Sequence, residues 1–339
     1  MSVQILVTAL NAVLPIVVMS LIGYILRQKN FLTDAFLSAG SKLVFRVCLP
    51  VMLFINVYGI GSVADIRWDL CLYCLGMIVV IVLLGAATAI VVTPVPERRG
   101  VRTQCAFRSN YAIIGMPLAA TLGGAEAEAV AAVVAAVLVP AFNVLAVISL
   151  SAFRKYGDGR VSVKKIALDV AKNPLIAGVL LGIATLLVRQ WQVAQLGSVV
   201  FSLREDLTPL FKVLQDLKSV ATPLALLILG GQFSFSAVRG MFREIAVGTL
   251  WRTVLAPLLG VGGAVLLSRW GVLPCGVNDY PALIALFGSP VAVSSAIMAR
   301  EMHNDDQLAT QLLVWSSVVS IVTIFAAVCL MMGMGLLAV

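Results

Sequence analysis

Apolar runs recur along the whole chain, and polar residues gather in short clusters between them. A membrane-crossing helix needs about 20 apolar residues. On that measure the pattern predicts ten spans, at roughly 5–26, 43–60, 70–93, 103–123, 128–152, 173–188, 216–236, 244–268, 281–301 and 308–337. These leave no stretch long enough for a sizeable soluble domain. The expected fold class is an all-α integral membrane protein.

Interruptions inside the runs carry the next layer of information. The fourth run contains Arg108, Asn110, Tyr111 and then Gly115-Met116-Pro117, and the ninth contains Gly288-Ser289-Pro290. Proline spacing repeats across the halves. Pro15 to Gly23 and Pro174 to Gly182 are both eight residues, while Pro50 to Pro117 and Pro223 to Pro290 are both 67. Five spans per half is an odd number, so the second copy must be inverted relative to the first, a hallmark of secondary transporters. The expected units are residues 1–152, a linker at 153–172, and residues 173–339.

A proline inside a helix strands a carbonyl, and in hydrocarbon the freed groups must find partners in protein or in a water-lined cavity. The matched motifs therefore predict two interrupted helices that meet near the midplane. Their second halves are expected to begin near Pro117 and Pro290 and to aim free N–H groups and positive dipole ends at an anion. Arg108 either snorkels to the inner interface or adds a cation to that site. Gly115 belongs to the predicted break. Asn110, Tyr111, Ser289, Ser294 and Ser295 are the candidate polar donors around it. Arg46 and Arg252 each precede a proline and are expected to hold a freed carbonyl rather than a ligand.

Composition agrees with this reading. Hydrophobic residues make up 61% of the chain and charged residues 12%, against about 25% charged in soluble domains. The net charge of +8 is expected to fix orientation rather than bind nucleic acid, because basic and aromatic residues are not interleaved. Fourteen Lys and Arg lie in the loops following odd-numbered spans and five in the alternate loops. The positive-inside rule then places both termini outside and 153–172 in the cytoplasm. The first apolar run has no positive charge before it, so it is not expected to be a signal peptide. Cys71-Leu72-Tyr73-Cys74 falls within an apolar run and is read as membrane helix rather than a redox or metal motif. His303 adjoins Asn304-Asp305-Asp306, a helix-capping sequence.

No H-E-x-x-H, G-x-x-x-x-G-K-[ST] or G-x-S-x-G motif is present. Asp216, Glu244 and Glu301 lie near span ends, which leaves no deep carboxylate to act as acid, base or metal ligand. No enzyme activity, catalytic residue, metal or cofactor is expected. A coupling ion, H+ or Na+, stays open.

Asn110-Tyr-Ala-Ile-Ile-Gly115-Met-Pro117-Leu, Asn173-Pro174-Leu-Ile, Thr222-Pro223-Leu-Ala-Leu and Pro290…Ala299-Arg300-Glu301 together resemble the auxin efflux carrier family. That family includes plant PIN-type auxin carriers and bacterial malonate and malate permeases. The resemblance implies a 5+5 inverted repeat similar to the sodium/bile-acid symporter fold, with crossed broken helices 4 and 9. It further implies a scaffold of spans 1, 2, 6 and 7 and a moving domain of spans 3–5 and 8–10. In the plant carriers an asparagine seven residues before the crossover proline helps hold the substrate carboxylate, and Asn110 occupies that position here. The long regulatory loop of many plant members is absent, as in bacterial members.

The expected function is alternating-access transport of a small organic anion, a mono- or dicarboxylate. An anion channel or membrane receptor on the same fold is the alternative. The protein is expected to be multi-pass in the cell (plasma or inner) membrane, with the lipid bilayer and the anion as its partners. Assembly as a homodimer stays open.

Overall fold

The computed structural model describes residues 14–15, 18–59, 67–153, 168, 171–233 and 236–337. Its helices are α1 (18–28), α2 (Asp34–Tyr58), α3 (Trp68–Val92), α4 (Pro96–Phe107), α5 (Tyr111–Ala152), α6 (Pro174–Leu196), α7 (Thr208–Gln232), α8 (Val238–Arg269), α9 (Asp279–Gly288), α10 (Ser294–Glu301) and α11 (Asp306–Gly333). Seven of them, α2, α3, α5, α6, α7, α8 and α11, are long and apolar enough to cross a membrane.

The remaining expected spans differ for identifiable reasons. Half of 5–26 and most of the linker 153–172 fall outside the described residues. The fourth span is divided between α4 and the start of α5, and the ninth between α9 and α10. None of α4, α9 and α10 exceeds 12 residues. The helix α5 also contains a reversal at Gly124 (φ 69°, ψ −160°), a conformation that glycine adopts without steric cost. It falls between the expected ends of the fourth and fifth spans.

Three prolines that could break helices do not. Each of Pro50, Pro117 and Pro257 follows a five-residue π turn, at Val44–Cys48, Tyr111–Gly115 and Trp251–Leu255. The residue before each proline donates to the carbonyl five positions back: Leu49 to Val44, Met116 to Tyr111 and Ala256 to Trp251. The extra residue in the turn relieves the clash between the proline ring and the carbonyl four positions earlier, so the helix runs on. The expectation that a half-helix begins near Pro117 is therefore corrected. The break lies at Arg108-Ser109-Asn110, and Pro117 is exposed on the continuous helix beyond it. The equal 67-residue spacings consequently link prolines in unlike settings, since Pro290 does lie in a break.

Packing separates the helices into two groups. In the first, α2 packs closely on α6 and α7. Gly178 allows α6 to meet the Pro50 carbonyl, and Gly230 allows α7 to meet the Ser20 carbonyl of α1. Small residues that bring backbones together are how helices associate where the surrounding solvent offers no hydrophobic drive. In the second group α3 packs on α4, α5 on α9, and α8 and α10 on α11. Polar contacts join the groups at one end. There Ser41 Oγ donates to Glu301 Oε1 (2.9 Å) and Gln307 Nε2 donates to the Gln232 carbonyl (3.0 Å).

Candidate functional site

The two breaks meet. Ser109 and Val291 form an isolated antiparallel bridge, in which Asn110 N–H donates to the Pro290 carbonyl (2.8 Å) and Ala292 N–H to the Arg108 carbonyl (3.2 Å). Val291 N–H donates to Ser316 Oγ on α11 (3.2 Å). Each break thus satisfies backbone groups of the other, as an interruption at membrane depth requires.

Four helix ends converge on this bridge. The carboxyl ends of α4 and α9 approach from one side, and the amino ends of α5 and α10 leave it. Within α5 the first bond back along the chain is Ile114 N–H to the Asn110 carbonyl (2.9 Å). The N–H groups of Tyr111, Ala112 and Ile113 precede it and have no carbonyl of their own helix to bond.

Arg108 lies at these amino ends and is 2% exposed, so it faces inward rather than snorkelling. Its Nη2 donates to Asn143 Oδ1 (2.6 Å) and Ser294 Oγ (2.9 Å), and its Nη1 contacts Met298 Sδ. All three partners are neutral. Asn143 is itself oriented by a bond from Nδ2 to the Val139 carbonyl (2.7 Å).

Arg108, Ser109, Asn110, Tyr111, Asn143 and Ser294 line a pocket of about 60 Å³ closed on its other side by α2 and α7. This pocket shares Asn56, Ala112, Ile113 and Thr222 with a cavity of about 520 Å³ that also reaches Lys218. A volume near 60 Å³ suits a small polar group or a pair of waters. The larger cavity is in the range that holds a small-molecule ligand. Among the described residues, no aspartate or glutamate lines either of them. Asn110 Nδ2 and the Ser109 and Tyr111 hydroxyls are buried with no hydrogen-bond partner among the described residues.

The other candidates are placed differently. Ser289 Oγ bonds back to the Ala285 carbonyl of its own helix (2.6 Å) and does not line the pocket. Ser295 is buried outside the pocket lining, and its hydroxyl has no partner. Gly115 lies in the π turn, where a Cβ would meet the Tyr111 ring and the Ala285 carbonyl, so it serves the packing of α5 on α9. Pro290 contributes its carbonyl to the bridge. Arg46 is exposed. Arg252 does hold carbonyls, on helices other than its own.

Outside the pocket, Asp305 caps α11 by accepting from Leu308 N–H (2.8 Å), in line with the capping sequence, and also pairs with Arg98 (2.7 Å). Glu244 pairs with Arg98 (3.3 Å). All six cysteines are free thiols, with Cys71 and Cys74 buried in α3.

Sequence reasoning passed over Asn56, Asn143 and Thr222. The signal available for the first two was a lone amide within an apolar run, which in a membrane helix points toward a partner or a cavity.

The sequence matches the family described as membrane transport protein over residues 8–161 and 159–326. An uncharacterized transporter of Methanothermobacter thermautotrophicus is 22% identical over 324 residues, covering 93% of this chain and 95% of that relative. With seven membrane-length helices among the described residues and a paired break between two of the segments, the chain belongs to the membrane transport protein family, that of the auxin efflux carriers.

Proposed function

We propose that this protein is a secondary carrier of a small organic anion, a mono- or dicarboxylate, working by alternating access with an elevator-like movement. One observation carries the reading. Arg108 is buried beside helix amino ends, its partners are neutral, and among the described residues no carboxylate lines the cavity it faces. A cation and helix amino ends of the same sign, held in a poorly polarisable site, are compensated by a bound anion. The carboxylate would take the 60 Å³ pocket, with Asn110 Nδ2 and the free N–H groups of α5 as further donors. The rest of the substrate would extend into the 520 Å³ cavity.

Alternating access draws support from the asymmetry between the two ends of the molecule. Ser41–Glu301 and Gln232–Gln307 close one end, while the larger cavity opens toward the other. In the expected topology the closed end is cytoplasmic, which makes this an outward-facing state. In the same frame the chain is a 5+5 inverted repeat of 1–152 and 173–339, with both termini outside the plasma or inner membrane.

Counterflow tests the proposal. Purified protein in liposomes preloaded with malonate, malate or acetate should take up the same labelled anion saturably, and faster than into empty liposomes. Flux that rises linearly with concentration and ignores the trans anion would make the protein a channel. Lack of binding and flux for the whole carboxylate series would overturn the substrate class.

A further inference from the structure

Arg252 is fully buried in the π turn of α8, and every donor it has is in use. Nε donates to the Ser289 carbonyl (2.8 Å). Nη1 donates to the carbonyls of Ala106 (3.4 Å) and Phe107 (3.0 Å), and Nη2 to those of Leu286 (3.1 Å) and Phe287 (2.6 Å). A guanidinium has five N–H donors, and here they meet five carbonyls drawn from the carboxyl ends of two different helices, α4 and α9, and the residue after α9. Among the described residues, no aspartate or glutamate is a partner of it.

A helix carboxyl end carries about half a negative charge, and two such ends together about one. One guanidinium balances them. The amino ends of α5 and α10, leaving the same crossover, have no such cover. Beside them lie Arg108 and the unpartnered Asn110 Nδ2, which is buried and lines the pocket. Without Arg252, positive and negative helix ends would meet at one bridge and their fields would largely cancel in the adjoining cavity.

We propose that Arg252 is a positioning residue that sets the sign of the site. By neutralising the carbonyl ends of α4 and α9, it leaves the amino ends of α5 and α10 to make the cavity selective for anions, without itself touching the substrate. This rests on the anion-site reading above. The role is electrostatic as well as structural, and the two contributions separate experimentally.

A cysteine probe needs no knowledge of the natural substrate. Ala112 lines both the pocket and the larger cavity, one residue into α5. In a C275S/C329S background, A112C would be reacted with an anionic methanethiosulfonate (the ethylsulfonate) and a cationic one (the ethyltrimethylammonium). Each rate is divided by that of a free thiol in solution. The parent is expected to favour the anion. R252Q should lower the anion-to-cation rate ratio about tenfold, as expected for one unit charge removed nearby. R252K keeps the charge with at most three donors and should hold the ratio within about twofold of the parent.

A ratio unchanged in R252Q, with both rates moving together, would show that Arg252 only holds the fold, and would overturn the proposal. So would an R252K protein that loses the ratio, an arm that still decides the matter if R252Q fails to purify as a folded protein. A parent that favours the cationic reagent would instead overturn the anion-site reading, whatever shift R252Q then shows.

Discussion

Arg108 and Arg252 lie on opposite sides of one backbone bridge, both buried and neither paired with a carboxylate among the described residues, yet they are used in opposite ways. Arg252 meets five carbonyls and has no donor left to give. Arg108 meets an amide, a hydroxyl and a thioether at the rim of a cavity. The difference comes from the polarity of the neighbouring helix ends. Carboxyl ends present acceptors that satisfy a guanidinium completely, whereas amino ends present further donors, which leave its charge to be met by an anion. A buried cation therefore neutralises helix ends or stays available to an anion according to which helix ends surround it. Hydrophobicity alone does not make that distinction.

The largest effect expected from this contrast is on stability. Arg252→Ala leaves five buried carbonyls without their donor, and loss of one side of a buried charged interaction costs about 3–5 kcal/mol. Thermal unfolding of the detergent-solubilised protein should show it as a clear drop in melting temperature. Arg108→Gln should melt close to the parent, because the acceptors it leaves are few and border a cavity. A larger destabilisation by Arg108→Gln than by Arg252→Ala would invert the assignment of the two roles.

On transport the order reverses among folded variants. A charge-assisted hydrogen bond contributes about 1.5–3 kcal/mol, so Arg108→Gln should reduce carboxylate uptake efficiency by roughly ten- to hundredfold. Asn110→Ala removes a neutral donor worth about 0.5–1.5 kcal/mol, and a loss of about two- to tenfold is expected. Initial rates in proteoliposomes against substrate concentration measure both. Equal losses in the two variants would point to a site held by shape and not by charge.

The smallest effect is expected at Pro117. Because the π turn absorbs it and the break lies elsewhere, Pro117→Ala should change stability and transport by no more than about 0.5 kcal/mol, or about twofold. Pro290→Ala should reduce transport more, since a helix running on from α9 would remove the strand-like segment that pairs with Ser109. Comparable damage from both substitutions, read in the same uptake assay, would return the functional break to Pro117.

Much of this protein was legible in the chain itself. Apolar runs of membrane length report helices because hydrocarbon leaves the backbone no partner but itself, so the pattern carries over directly into structure. The presence of interruptions in the fourth and ninth runs was also readable, as were the polar residues Arg108, Asn110 and Ser294 that reach the pocket. The capping of α11 by Asp305 was readable because caps are local.

The position of the fourth-span break was not readable. Proline and glycine marked 115–117 as the weak point, but a π turn satisfied the backbone there. The break formed at 108–110, where residues 290–292 of the other half supply the missing hydrogen bonds. Nor did the chain show that Arg252, adjacent in sequence to nothing that needs it, would meet the ends of α4 and α9, whose carbonyls lie 145–146 and 34–37 positions away respectively. Local sequence determined what the backbone can do alone: where helices run and which residues are polar enough to interrupt them. Tertiary structure decided which interruption survives, because an unpaired backbone group in hydrocarbon costs several kcal/mol and a break persists only where a distant segment pairs with it.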